Sequence, residues 1–134
     1  MDYALQSLFD AAESVASKAY APYSKFSVGA AIRTLSGSII VACNVENAAY
    51  PAGTCAEAGA IAAMVAQGET KITDIAIVSL KNNPCYPCGA CRQRIFEFSD
   101  AATRVHMRDG VTGEPITYSI KALLPHAFGP TSLT

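Results

Sequence analysis

The stretch Pro87-Cys88-Gly89-Ala90-Cys91-Arg92-Gln93 decides how this chain is read. Two thiols sit three residues apart behind a proline. If a helix starts here, both sulfurs lie on one face of its first turn. Proline fits the first helical position, because its missing N–H would have no partner there anyway. A helix start favours negative charge, so it lowers a thiol pKa and stabilises thiolate. Two thiolates on one face are half of a tetrahedral zinc site.

The complement lies about thirty residues earlier, in Thr54-Cys55-Ala56-Glu57. Thr54 reads as an N-cap with Glu57 three residues on, the pattern of a capping box. An apolar run follows at Ala60, Ile61, Ala63, Met64 and Val65, so Cys55 also stands at a helix start. Two such starts facing each other would offer three thiolates to one metal. Three protein ligands with an open position is the catalytic arrangement of zinc, and four is the structural one. The metal makes water at the open position acidic enough to react near neutral pH. Glu57 is placed to move protons to and from it. A helix puts residues i and i+2 on opposite faces. Cys55 and Glu57 therefore converge only if Cys55 occupies the cap itself, where the chain is not yet helical.

Cys55-x-Glu57 followed by Pro87-Cys88-x-x-Cys91 resembles the motif of the zinc-dependent nucleoside deaminases. Three further stretches are similar to the small homotetrameric cytidine deaminases: AYAPYSKFSVGAA at 19–31, NVENAAY at 44–50 and LLPHAF at 123–128. The likeness runs from near residue 19 to near residue 130. It implies an α/β three-layer domain over residues 1–134, a mixed five-stranded sheet flanked by helices. It implies one zinc per subunit on Cys55, Cys88 and Cys91, with Glu57 as the catalytic proton carrier and not a ligand. It implies that the Ala56 N–H meets the pyrimidine O2 and that Phe26 lines the pyrimidine pocket. Asn44 and Glu46 would bind neighbouring ribose hydroxyls. Tyr50 would reach a neighbouring subunit's site, and Phe128 would stack on a neighbour's pyrimidine. The implied protein is a cytoplasmic homotetramer with shared sites. The implied reaction converts cytidine and 2′-deoxycytidine to the uridine forms with release of ammonia, as in pyrimidine salvage.

The residues themselves leave other readings open. Phe26 alternates with Val28, Ala30 and Ile32 and would serve as a core aromatic. Asn44 and Glu46 would serve as a loop held by its own side chains. Tyr50 would be a surface tyrosine before Pro51-Ala52-Gly53, and Phe128 a C-terminal aromatic packed on its own chain. Cys85 lies three residues before Cys88 and is an alternative fourth ligand, which would close the site. Cys43 reads as a small buried apolar residue. His106 and His126 lack metal spacing and read as structural.

One position departs from the family pattern. Many relatives carry Arg after the motif glutamate, where it pairs with the cysteine sulfurs; here the residue is Ala58. Three thiolates on zinc leave one net negative charge, which weakens the metal as an acid. Two replacements offer themselves: the helix N-termini, and Arg92 as a donor behind the ligands. The departure also leaves room for a second enzyme reading, a modified cytosine nucleoside or aminopyrimidine antibiotic as substrate. A third reading is a structural zinc module without turnover, in which Glu57 would have no purpose.

The remaining sequence frames these motifs. A chain of 134 residues suits one domain with a real core. Apolar residues reach 51% and charged ones only 16%, which points to apolar surface covered by partner subunits. Ten basic and eleven acidic side chains give a charge of −1, which disfavours a polynucleotide partner. No apolar run is long enough for a membrane span. The acid-bearing start MDYALQSLFDAAE is unlike a secretory signal. Five cysteines, an odd number, suit reduced thiols better than a disulfide framework.

Apolar periodicity predicts a helix over 2–20, strands over 26–33 and 38–43 around a turn at Ser36-Gly37, and a helix over 55–67. A central strand follows over 72–80, a helix over 87–98, strands over 104–107 and 114–118, and a short helix over 119–124. Gly59, with Ala62, Ala63 and Ala66, marks a helix face fit for close approach, read here as an oligomer contact with packing inside the subunit as the alternative.

Overall fold

The computed structural model describes residues 1–134. The first helix, α1, spans Tyr3–Ala16 and is capped by Asp2, whose Oδ1 accepts from Leu5 N–H at 2.8 Å. It stops four residues short of the predicted end. Tyr20 has been drawn into an extended pairing with Val45 instead, donating to Asn44 O and accepting from Glu46 N–H.

Strands β1 (Val28–Thr34) and β2 (Ile39–Cys43) form the predicted hairpin. Helix α2 spans Ala56–Ala66, and Gly68 behind it takes a left-handed φ of 86°, the usual helix stop. Then come β3 (Ile72–Ser79), α3 (Gly89–Glu97), β4 (Arg104–Arg108), β5 (Pro115–Ser119) and α4 (Ile120–Leu123). The element order matches the sequence reading throughout.

The sheet runs β2-β1-β3-β4-β5. Only β3 and β4 are parallel, with α3 supplying the crossover that a parallel pair needs. The mixed five-stranded sheet expected from the family likeness is what the chain forms. As predicted, β3 is central, and five of its residues from Ile75 to Ser79 are buried in succession. Period-two alternation feeds two cores. Ala30, Ile32, Ile75 and Ile77 pack with Ile61 and Met64 of α2, Ile95 of α3 and Leu123 of α4. Ala31, Ala76 and Val78 face the other way, onto Leu8, Phe9 and Ala12 of α1. Each fully buried Ile or Leu contributes about 1.5–3 kcal/mol, so the isoleucine-rich face carries most of the stabilisation. No helix is long and apolar enough to cross a membrane.

The topology places the motifs together. Gly29 of β1 is paired with Cys43 on one side and Val78 on the other. The C-terminal ends of β2 and β3 therefore lie at the same edge of the sheet, one strand apart. The chain leaves β2 toward α2 and β3 toward α3, so both helix N-termini open at that edge. Gly59 faces Ala42 of β2, and a Cβ there would come within 3.1 Å of the Ala42 Cβ. Its close approach within the chain is thus to its own sheet, the packing alternative for this glycine.

Candidate active site

Cys55 and Cys88 hold the same position in their helices. Each is an N-cap with extended backbone, at φ −71° and ψ 154° for Cys55 and φ −69° and ψ 171° for Cys88. This corrects two sequence readings. Thr54 does not cap α2, because it is held in a bridge with Val45, donating at 2.8 Å and accepting at 2.9 Å. Pro87 is not the first helical residue; it is buried one step outside the cap. The condition that Cys55 occupy the cap is met.

A thiol at an N-cap meets the free N–H groups of the first turn. The N–H of Cys91, and after it that of Ala90, holds the Cys88 thiol below its ordinary pKa against a smaller opposing effect of burial. Cys91, one turn into α3, is fully buried. Its thiol is pushed well up, first by burial, then by the charges of Glu57 and Cys55. Cys55 and Cys88 are both side-chain neighbours of Cys91. Cys55 and Cys88 thus both lie near Cys91, although no three His, Cys, Asp or Glu side chains are drawn close enough together to hold a metal ion as they stand. Cys85 packs against the core, and its thiol is pushed up to about 11 by burial and by Glu57. It stays a neutral thiol beside the group.

Glu57, in the first turn of α2, is only 6% exposed. Burial raises its pKa, with its own backbone N–H, then the Arg94 charge and the Cys91 thiol, pulling the other way. A carboxyl group so placed exchanges protons nearer neutrality than a surface one.

Arg92 does not face the sulfurs. Its Nε donates to Pro87 O at 2.7 Å and its Nη1 to Leu123 O at 2.9 Å, tying the α3 start to α4. The expectation that Arg92 compensates the thiolates is therefore corrected. Arg94 is the α3 arginine that reaches a sulfur: its Nη1 donates to Cys91 Sγ at 3.4 Å. Sequence reasoning missed it, although Cys88, Cys91 and Arg94 fall at successive steps of three along one helix face.

A cavity of about 470 Å³ opens beside Cys55. It is lined by Tyr23, Ser24, Asn44, Glu46, Tyr50 and Thr54, among others. The Asn44 amide splices the start of β1: Val28 N–H donates to its Oδ1 and its Nδ2 donates to Phe26 O, both at 2.8 Å. Glu46 accepts from the N–H groups of Tyr23 and Ser24 at 3.0 and 3.1 Å and from the Ser24 hydroxyl. The Ser24 hydroxyl is the main reason its pKa is lowered. Sequence reasoning did not foresee Tyr23 and Ser24 in this wall. Asn47 holds its own loop, its Oδ1 accepting from Ala49 N–H.

The other predicted residues are placed as follows. Ala56 is the buried first residue of α2, and no side chain caps the free N–H groups there. Phe26 is half-buried against the isoleucine-rich core. Tyr50 is 80% exposed at the cavity mouth. Phe128 is 61% exposed, while its carbonyl accepts from Gln93 Nε2. His106 is structural: its ring nitrogens lie 2.8 Å from Asp74 Oδ1 and from Thr117 Oγ1, joining β3, β4 and β5.

Residues 3–107 match the family model of the cytidine and deoxycytidylate deaminase zinc-binding region. The chain belongs to that family. It is 39% identical over 117 residues to the cytidine deaminase of Sporosarcina psychrophila, covering 87% of this chain and 85% of that one. It is 40% identical over 110 residues to the cytidine deaminase of Halalkalibacterium halodurans, covering 82% and 83%. The crystal structure of cytidine deaminase from Burkholderia pseudomallei superposes with a TM-score of 0.85 at 39% identity, covering 96% of this chain and all of that one. Zinc is the metal of this family. The donor set fits it: thiols are soft ligands, and two of the three sit where helix N–H groups favour the thiolate that zinc binds.

Proposed function

We propose that this chain catalyses hydrolytic deamination of cytidine and 2′-deoxycytidine, giving the uridine forms and ammonia, with zinc held by Cys55, Cys88 and Cys91. The observation that carries the reading is buried Glu57 at the start of α2, beside the thiols and two residues from Cys55, which lines an open cavity. A structural zinc module has no use for a buried carboxyl group in that position. When bound, zinc supplies the acidity that makes water a nucleophile near neutral pH.

The chain's own groups do the rest. Glu57 takes one proton of the attacking water and passes it to ring N3, then takes the second from the new C4 hydroxyl and hands it to the departing amino group. Its raised pKa suits both directions of transfer. The Ala56 N–H, unpaired at the helix start, receives the pyrimidine O2. Asn44 keeps one N–H and Glu46 keeps free lone pairs beyond the bonds already made, and these take ribose hydroxyls. Phe26 forms a wall of the pyrimidine pocket. Glu46 is the charged side chain in the cavity lining, and a carboxylate there repels a phosphate, which favours nucleosides over nucleotides.

The assembly is a homotetramer in the cytoplasm, where five free cysteines stay reduced. The exposed Phe128 and Tyr50 rings are then the groups shared between subunits. Ultraviolet absorbance tests the reading directly. Cytidine and 2′-deoxycytidine should be consumed by the zinc-loaded wild type and not by Glu57→Gln, with cytidine monophosphate a poor substrate. Wild-type protein that binds zinc yet turns over no cytosine nucleoside would return the structural-module reading.

A further inference from the structure

We infer that Arg94 is the residue that offsets the surplus negative charge of the thiolate site, in place of the arginine that many relatives carry where this chain has Ala58. This deepens the proposed function and rests on it. The argument begins with charge. Three thiolates around a divalent ion leave one net negative charge, and Glu57 adds a second nearby. Both oppose the acidity a hydrolytic metal needs, and each thiolate repels the others in a partly buried setting. A cation donating to one of the sulfurs relieves both effects.

The structure offers two arginines on α3 and distinguishes them. Two of the Arg92 guanidinium donors are taken by the carbonyls of Pro87 and Leu123, which ties its head group to the α3–α4 joint. Arg94 makes its hydrogen bond to Cys91 Sγ, at 3.4 Å. Its charge is also felt at Glu57 and interacts with Cys55 and Cys88. The geometry follows from helix spacing. Residue 94 is one turn beyond 91 and 91 one turn beyond 88, so the guanidinium folds back over the turn carrying both thiols. Because Arg94 approaches from the exposed side of α3, it needs no buried cavity and adds no fourth ligand. Arg94 is a positioning residue: it acts on the reaction through the sulfurs and Glu57.

The test compares zinc-loaded wild type with Arg94→Ala, Arg94→Lys and, as a charge-matched control, Lys18→Ala, which lies just beyond α1 in the opposite layer. Zinc affinity is read by competition with a coloured chelator, and cytidine turnover is read separately across pH. Arg94→Ala should lose about tenfold or more in zinc affinity, within the range found for groups supporting metal ligands. Arg94→Lys should stay within about threefold of wild type, because charge is what is required. Lys18→Ala should match wild type. Arg94→Ala reloaded with excess zinc should show the rising, acid-side limb of its activity profile displaced to higher pH, which a purely structural role would not move. Equal zinc affinity in wild type and Arg94→Ala overturns the inference, as does a loss in Arg94→Lys as large as in Arg94→Ala. Wild type that binds zinc but leaves cytidine intact sinks the deaminase reading alone, and the affinity series still decides Arg94.

Discussion

Cys55 and Cys88 are equivalent residues: each is the N-cap of the helix that follows a strand, and the two strands, β2 and β3, end on either side of Gly29. The cap is a place where side chain and first-turn N–H groups converge, and a sulfur there exchanges a capping hydrogen bond for a metal. Cys55→Ala and Cys88→Ala should therefore purify with little or no zinc, while Cys85→Ala should keep one zinc per chain. Metal analysis of the four proteins checks this. A Cys85 variant as empty as the Cys88 variant would make Cys85 a ligand and contradict its neutral, core-packed setting.

Glu57 yields a prediction with a definite sign. Burial raises its pKa above the unfolded value of 4.5. Below that value both folded and unfolded chains hold the proton, and the group costs folding nothing. Above it the unfolded chain ionises first, so stability falls as pH rises and the loss is complete above the folded pKa. In metal-free protein, Glu57→Gln should thus raise Tm at about pH 7 and leave it nearly unchanged at about pH 4. In the zinc-loaded enzyme the same change should lower kcat by about 10²–10⁴-fold, the usual worth of positioned acid–base catalysis, with zinc content intact. Calorimetry at the two pH values and steady-state kinetics separate the stability effect from the catalytic one.

How far these features could be read from residues alone depends on range. The element order, the central place of β3 and the pairing of two cysteine-bearing helix starts follow from local periodicity and motif spacing. The α2 cap falls one residue and the α3 cap two residues beyond the place that Thr54 and Pro87 suggest by their local preferences; at α2 tertiary pairing overrides the preference, since Thr54 is committed to Val45. The end of α1 was overrun because Tyr20 pairs with Val45, a partner no helical pattern reveals. Arg92 stands next to Cys91 in the chain, but helix spacing favours Arg94, three residues beyond Cys91. Tyr23 and Ser24 enter the cavity wall only through Glu46, a contact across 22 residues of chain.

Asn44 and Glu46 separate into two roles under mutation. The Asn44 amide is part-buried and completes the backbone pairing of Phe26 and Val28. Asn44→Ala leaves both backbone groups without their partner and should cost about 1–3 kcal/mol of stability as well as raising KM. Glu46 is bound only to the exposed turn at Tyr23 and Ser24. Glu46→Gln should leave Tm within a few degrees of wild type and act mainly on KM for cytidine. A drop in Tm for Glu46→Gln matching that of Asn44→Ala would mean the turn is part of the fold's foundation and not a movable wall.

Gly29 tests the layer behind the site. A Cβ at this residue would collide with the carbonyl oxygen of Ala12, and with backbone of Ala16, in the middle and end of α1. Backbone inside a hydrogen-bonded helix cannot step aside like the tip of a flexible side chain, so the whole helix must lift from the sheet. That would open the contact of Leu8, Phe9 and Ala12 with Ala31, Ala76 and Val78. Gly29→Ala should lower stability by about 1–3 kcal/mol or more, the cost of overpacking, and Tm by roughly 5–15 °C. Gly89→Ala provides the contrast, because a Cβ there meets nothing within 4 Å. It should stay within about 0.5 kcal/mol of wild type. Thermal unfolding of the two variants side by side measures the difference, and a Gly29→Ala protein as stable as Gly89→Ala would show that α1 is not seated on β1 at this distance.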